Sequence, residues 1–274
     1  MTEVQIRSPS LPKMILPFAL ALIAVLSAQS TVQTKSNIVD LTRYEVSFAE
    51  EFDQLDVSPW GPNSRWIAHT PWHGDFGDAV FLDPGVQSPF SVKGGILTIT
   101  MRKSEQGRWG SGLLASSNRD GSGFTQSGGY FEARMKLPSG GGVWPAFWLA
   151  STDPSAKVTP EIDVMEYYGQ FPEGYVATVH NWQDGKDISH NDFHARVPTN
   201  TLSEDFHTYG VEINNTAVIF YLDRGEVWSV PSSKVFMEPL TILVDLAAGG
   251  GWPIDSMPNP SKLEVDYVRA YTLK

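Results

Sequence analysis

The sequence contains no cysteine, which excludes a disulfide framework, a thiol nucleophile and any thiolate metal centre. Positive charge is scarce: Lys and Arg total 20 against 31 Asp and Glu, for a formal net charge of −11. A chain this acidic has little with which to neutralise phosphates, so nucleic acid and anionic membrane surfaces are set aside as partners. Helical periodicity is missing from every long stretch, so helices should be short and few. The apolar run at residues 15–26 falls short of the ~20 residues that cross a bilayer. It follows Arg7 and Lys13 and precedes Ser27-Ala28-Gln29-Ser30, the layout of an export signal. Residues 1–30 are therefore expected to be a signal peptide, residues 31–43 a short leader and residues 44–274 one catalytic domain. The protein is expected to act outside the cell or in the periplasm, as a monomer without stable membrane association once the signal is removed.

What the chain does hold is turn residues and strand-like runs. Gly 24 and Pro 19 punctuate it, and aromatics reach 12%. Strands are expected near residues 95–102, 129–137, 143–149, 161–168, 175–182, 207–213, 217–222, 240–247 and 262–273, with Asp223-Arg224-Gly225 as a hairpin turn. So many short strands specify an all-β sandwich or barrel. In residues 130–137, Phe131, Ala133, Met135 and Leu137 alternate with Tyr130, Glu132, Arg134 and Lys136, giving one apolar face and one polar face on which a polymer could lie.

One segment carries chemistry: Glu161-Ile162-Asp163-Val164-Met165-Glu166. On a regular strand Glu161 and Asp163 share a face and Glu166 points to the other. In the core, Glu166 would be a buried unpaired charge, which is costly. One extra residue absorbed at Val164-Met165 as a β-bulge restores the parity. Glu161 and Glu166 then stand roughly 13 Å apart along the backbone, and leaning together their carboxyls reach about 5–6 Å, near the separation of a retaining glycosidase. Such crowded carboxylates should keep one proton near neutral pH, expected on Glu166. A solvated acidic face or a calcium site is the competing reading of the same residues.

The hexapeptide resembles the bulge-containing signature of glycoside hydrolase family 16, a concave β-jelly roll of two antiparallel sheets with a substrate cleft, whose members are retaining endo-β-glycanases. The likeness extends to Val143-Trp-Pro-Ala-Phe-Trp-Leu149, similar to the strand before the catalytic one in laminarinases and agarases, to Gly249-Gly-Gly-Trp-Pro253, similar to their cleft-edge Trp loop, and to Val265-Asp-Tyr-Val-Arg-Ala-Tyr271, similar to the last strand. The resemblance implies Glu161 as nucleophile, Asp163 as assisting carboxylate and Glu166 as acid/base, with no cofactor for catalysis. It also implies a structural calcium held by Asp266 with carbonyls near Glu51 and Gly95. The loop at residues 70–81 is more similar to secreted bacterial depolymerases of the succinoglycan-cleaving kind.

Trp144, Trp148 and Trp252 are expected to stack on sugar rings, and Phe147 to be core. His180 and Trp182 share a face of the next strand, where His180 would meet substrate or Glu166; Arg134 is a weaker candidate for substrate. His190, His194 and His207 show no metal-ligand spacing. The expected activity is internal cleavage of a β-1,3 or mixed β-1,3/1,4-glucan, or of a bacterial exopolysaccharide, by double displacement. Transglycosylation on the same substrates and a non-catalytic glycan-binding jelly roll are the alternatives.

Overall fold

The computed structural model describes residues 37–274, except His73 and Pro154. The expected signal peptide lies outside the described residues. Two sheets build the molecule. The first runs in the order Lys186–Arg196, Gly174–Gln183, Thr159–Glu166, Val143–Ser151, Leu240–Ala248, Leu113–Ala115, Trp66–Ile67 and Val57–Ser58. The second is ten-stranded and is centred on Gly129–Lys136 and the long strand Ser261–Leu273. Pairing is antiparallel except for two short edge pairs, Val57–Ser58 with Trp66–Ile67 and Ala79–Phe81 with Trp109–Ser111. Among the described residues the only α-helix is Thr201–Glu204, as the lack of helical periodicity implied. This is an all-β sandwich, as the strand pattern anticipated, with the two-sheet arrangement that the family resemblance implied.

Alternation explains the layering. In Gly129–Lys136, Phe131, Ala133 and Met135 are fully buried in the core between the sheets, while Tyr130, Glu132 and Arg134 face outward. In the first sheet Phe147 and Leu149 enter the same core, and Ala146, Trp148 and Ala150 belong to a second apolar cluster on the cleft side with Phe81, Leu113 and Leu243. The loop after Trp66–Ile67 folds over this cluster: Phe76 packs edge-on against both Trp144 and Trp148.

On the back of the second sheet Glu132 is completely buried among Tyr130, Tyr221 and Tyr271. Its carboxylate accepts from Arg224 Nε and Nη2 at 3.0 and 2.8 Å and from the Tyr130 and Tyr271 hydroxyls at 3.1 and 3.0 Å. Four donors satisfy both oxygens, which is what a buried charge requires. Arg224 is presented by the expected hairpin: Leu222 pairs with Gly225, and Asp223 and Arg224 both hold positive φ (49° and 63°), the two-residue turn that matches strand twist. Residues 37–43, assigned to the leader from sequence, pack here too: Val39 is buried and Ile38 bridges Gly225.

Candidate active site

The acidic strand Thr159–Glu166 lies between Val143–Ser151 and Gly174–Gln183 and is irregular at the expected place. Asp163 stands opposite Trp148 and Met165 opposite Phe147, leaving Val164 without a partner. On the other side Asp163 faces Thr178 and Glu166 faces Val176, so three steps on one strand match two on its neighbour. Both bulge residues enter the core between the sheets, where Val164 and Met165 are buried. Burying them contributes roughly 1.5–3 kcal/mol each, whereas a regular strand would turn Glu166 inward at a cost of several kcal/mol. The bulge is the cheaper solution, and it leaves Glu161, Asp163 and Glu166 on the cleft face.

Each carboxylate sits in its own frame. Glu166 Oε1 accepts from Trp144 Nε1 at 3.0 Å and from the Tyr168 hydroxyl at 3.1 Å; the Trp144 and Tyr168 rings stack at 5.9 Å. Asp163 is buried and lies 3.2 Å from His180 Nε2. Glu161 is opposite His180, with the Trp182 indole N–H close enough to favour its ionised form, though that N–H completes no hydrogen bond. His180 thus meets Asp163 rather than Glu166. Its Nδ1 lies 3.0 Å from Asp187 Oδ2. The ring thus stands between two carboxyl groups.

Burial raises all three acids. Desolvation pushes Glu161 up to about 8, with the Asp163 charge adding to it and His180 opposing. Asp163 lies well above the carboxylate range through burial and then the charges of Glu166 and Asp245. Glu166 is also raised by burial, against the pull of its two donors and of His180. Retention of a proton by the triplet is therefore favoured, but Glu166 is not singled out, because Glu161 and Asp163 are raised as well.

Two other assignments come out differently. Trp148 is buried, not offered to a sugar: its Nε1 donates to Asp245 Oδ1 at 2.8 Å, and Phe76 and Trp72 cover its ring. Arg134 is on the back of the second sheet, away from the cleft, paired with Asp266 at 2.6 Å and lying over the Phe206 ring. At the expected calcium position the Asp266 carboxylate is paired with the Arg134 guanidinium, the Glu51 carboxylate is held by Arg269 through two 2.7 Å contacts, and the Glu51 carbonyl lies beside Gly95. Trp144, Trp182 and Trp252 remain on the cleft side, Trp252 exposed and edge-on to Phe171.

Two cavities flank the acids. One of about 820 Å³, at the Glu161 end, is lined by Trp72, Arg119, Asp153, Glu161 and Trp182. The other, of about 420 Å³ beyond Glu166, is lined by Tyr168, Phe171, Glu173, His194 and Trp252. Sequence reasoning missed Trp72, Tyr168, Phe171 and Asp245. Tyr168 shares parity with Glu166 and was open to discovery. Asp245 is a lone acid in an apolar run, pushed up to about 8 by burial; it lies in one cross-strand row with Ala146 and Glu166, a fourth carboxyl beneath the triplet.

The profile of Glycosyl hydrolases family 16 matches residues 85–269. The chain is 33% identical to the endo-1,3-1,4-β-glycanase EglC of Rhizobium meliloti, over 83% of this chain and 51% of that protein. It is 32% identical to ExsH of the same organism, also termed an endo-1,3-1,4-β-glycanase, with the same coverage. It thus spans about half the length of these curated relatives. The laminarinase of Rhodothermus marinus superposes with a TM-score of 0.68 at 25% identity, over 84% of this chain and 98% of that one. The endo-β-1,3(4)-glucanase SCLam, at 20% identity, shares the fold with a TM-score of 0.71 over 90% and 98% of the two chains. With the family profile over most of its length and relatives above 30% identity across four-fifths of it, the chain belongs to glycosyl hydrolases family 16.

Proposed function

We propose that the protein is an endo-acting, retaining β-glycan hydrolase that attacks β-1,3 or mixed β-1,3/1,4-glucan, or a related bacterial exopolysaccharide. The single observation that carries this is the bulge that sets Glu161 and Glu166 on one face with cavity on both sides of them. The names of the relatives EglC and ExsH support the substrate class.

In the first step the ionised Glu161 carboxylate attacks the anomeric carbon while Glu166 gives its proton to the departing glycosidic oxygen, leaving a glycosyl ester. In the second, Glu166 takes a proton from water as the water displaces Glu161, and the configuration is retained. Asp163 is a positioning residue, holding the proton balance between its neighbours. Trp144 orients Glu166 through its indole N–H, and Trp182 and Trp252 offer rings to sugars in the two cavities. The reaction uses this chain's carboxyls and water. No helix among the described residues is long and apolar enough to cross a membrane; with residues 1–30 read as an export signal, the enzyme acts on polymers outside the cytoplasm.

Glu161→Gln should lower turnover by ~10⁴-fold or more while leaving glycan affinity largely intact, measured by reducing ends and by calorimetry on a polysaccharide panel. Anomeric proton NMR of the first products should show the β-configuration. Persistence of turnover in that variant, or an inverted product, would overturn the assignment.

A further inference from the structure

At the outer edge of the cleft sheet the strand Gly174–Gln183 turns through Asp184 and Gly185 into Lys186–Arg196. Both turn residues hold positive φ (52° and 71°), and a bulge that leaves Ile188 unpaired shifts the register by one and sets His180 opposite His190. Asp187 comes between them. Its Oδ2 lies 3.0 Å from His180 Nδ1 and 2.8 Å from His190 Nδ1, and the three atoms all fall within 4.8 Å of one another.

Two imidazole nitrogens and one carboxylate oxygen converging on a point are the donor set of a transition-metal centre; calcium and magnesium take oxygen instead. A second observation points the same way. The far nitrogen of His180 is engaged by the buried Asp163 at 3.2 Å. A carboxylate on the distal nitrogen is what fixes the orientation of metal-bound imidazoles and raises their basicity. Access is open, since the side chain of His190 is 57% exposed, leaving room for water or an outside ligand at the remaining coordination position.

We propose that His180, Asp187 and His190 bind a divalent transition metal of the zinc class, with Asp163 accepting the distal N–H of His180. The metal would sit one residue's reach from the acidic triplet and link its environment to the hairpin. The site uses neither Glu161 nor Glu166, so it stands or falls apart from the hydrolase reading. Sequence spacing does not reveal it, because the two histidines lie on different strands and meet only across the hairpin.

The test is titration of untagged, chelator-treated full-length enzyme with Zn²⁺ by calorimetry and with Co²⁺ by visible absorption. One equivalent should bind with a Kd on the order of 1 μM, and Co²⁺ should develop d–d bands of a nitrogen-ligated centre. His190→Ala and Asp187→Asn should each weaken binding roughly 10–100-fold, with folding checked by circular dichroism. In metal-free buffer His190→Ala should hydrolyse glycan at an unchanged rate. Absence of binding at ~1 mM Zn²⁺, or equal affinity in both variants, would overturn the proposal.

Discussion

At the scale of single residues, the site is a problem of too many carboxyls in too little water. Glu161, Asp163, Glu166 and Asp245 crowd one face of three adjacent strands, and each is raised, with burial the leading cause. Glu161, as the proposed nucleophile, must be ionised to attack, so on that reading the acid limb of kcat/KM reports its deprotonation. The Asp163 charge raises Glu161; removing it lets Glu161 ionise at lower pH. Asp163→Asn should therefore move the acid limb downward while loss of positioning lowers the optimum rate by up to about 10²-fold. A pH profile whose acid limb stays put or climbs would contradict this. The three acids of the hexapeptide were legible because carboxylates stand out in a Val/Ile/Met strand. Trp148 was not: a tryptophan on the cleft face reads the same whether it greets a sugar or, as here, is tied to Asp245 beneath Phe76.

At the scale of elements, the bulge and the back-sheet turn can each be probed. Deleting Val164 restores plain alternation and still leaves Glu161, Asp163 and Glu166 on one face, so the variant should keep measurable turnover despite a lost core side chain. Deleting both Val164 and Met165 instead places Glu166 directly after Asp163, where alternation turns it toward the core, and should abolish activity. Comparing the two for reducing-end release separates a parity effect from general damage. On the back sheet, Arg224→Ala strips the only cation from buried Glu132 among its hydrogen-bond partners and should destabilise the fold by roughly 3–5 kcal/mol, read by denaturant melts with activity at low temperature retained. Alternation along 130–136 foretold which side chains leave the core but not which sheet they belong to. Both sheets have a polar outer face, so Arg134 was assigned to the cleft when its strand lies in the other layer, pairing with Asp266. Whether a strand sits front or back depends on contacts distant in sequence, and local pattern carries no record of them.

At the scale of the whole molecule, the sandwich divides its labour between faces. The back sheet closes over a saturated ion pair and a set of tyrosines. The front sheet keeps its acids under-solvated and its aromatic rings uncovered at two points, Trp252 with Phe171 at one end and Trp182 at the other. The all-β class and nine of the strands could be read from turn residues and alternation, while short or polar strands such as Trp66–Ile67 and Lys186–Arg196 could not, and the course of the loop at residues 68–84 over the cleft depends on packing of Phe76 that no periodicity encodes. The space on both sides of the acidic strand has a practical outcome. A long chain can be laid in sideways at any point along its length, with no need to present a terminus. Scission should then be scattered, so that a polysaccharide solution thins early, while liberated sugar is still scarce. Viscometry run beside a reducing-end assay would show the flow time collapsing first; the two curves falling in step would mean that the groove is blocked at one end in solution.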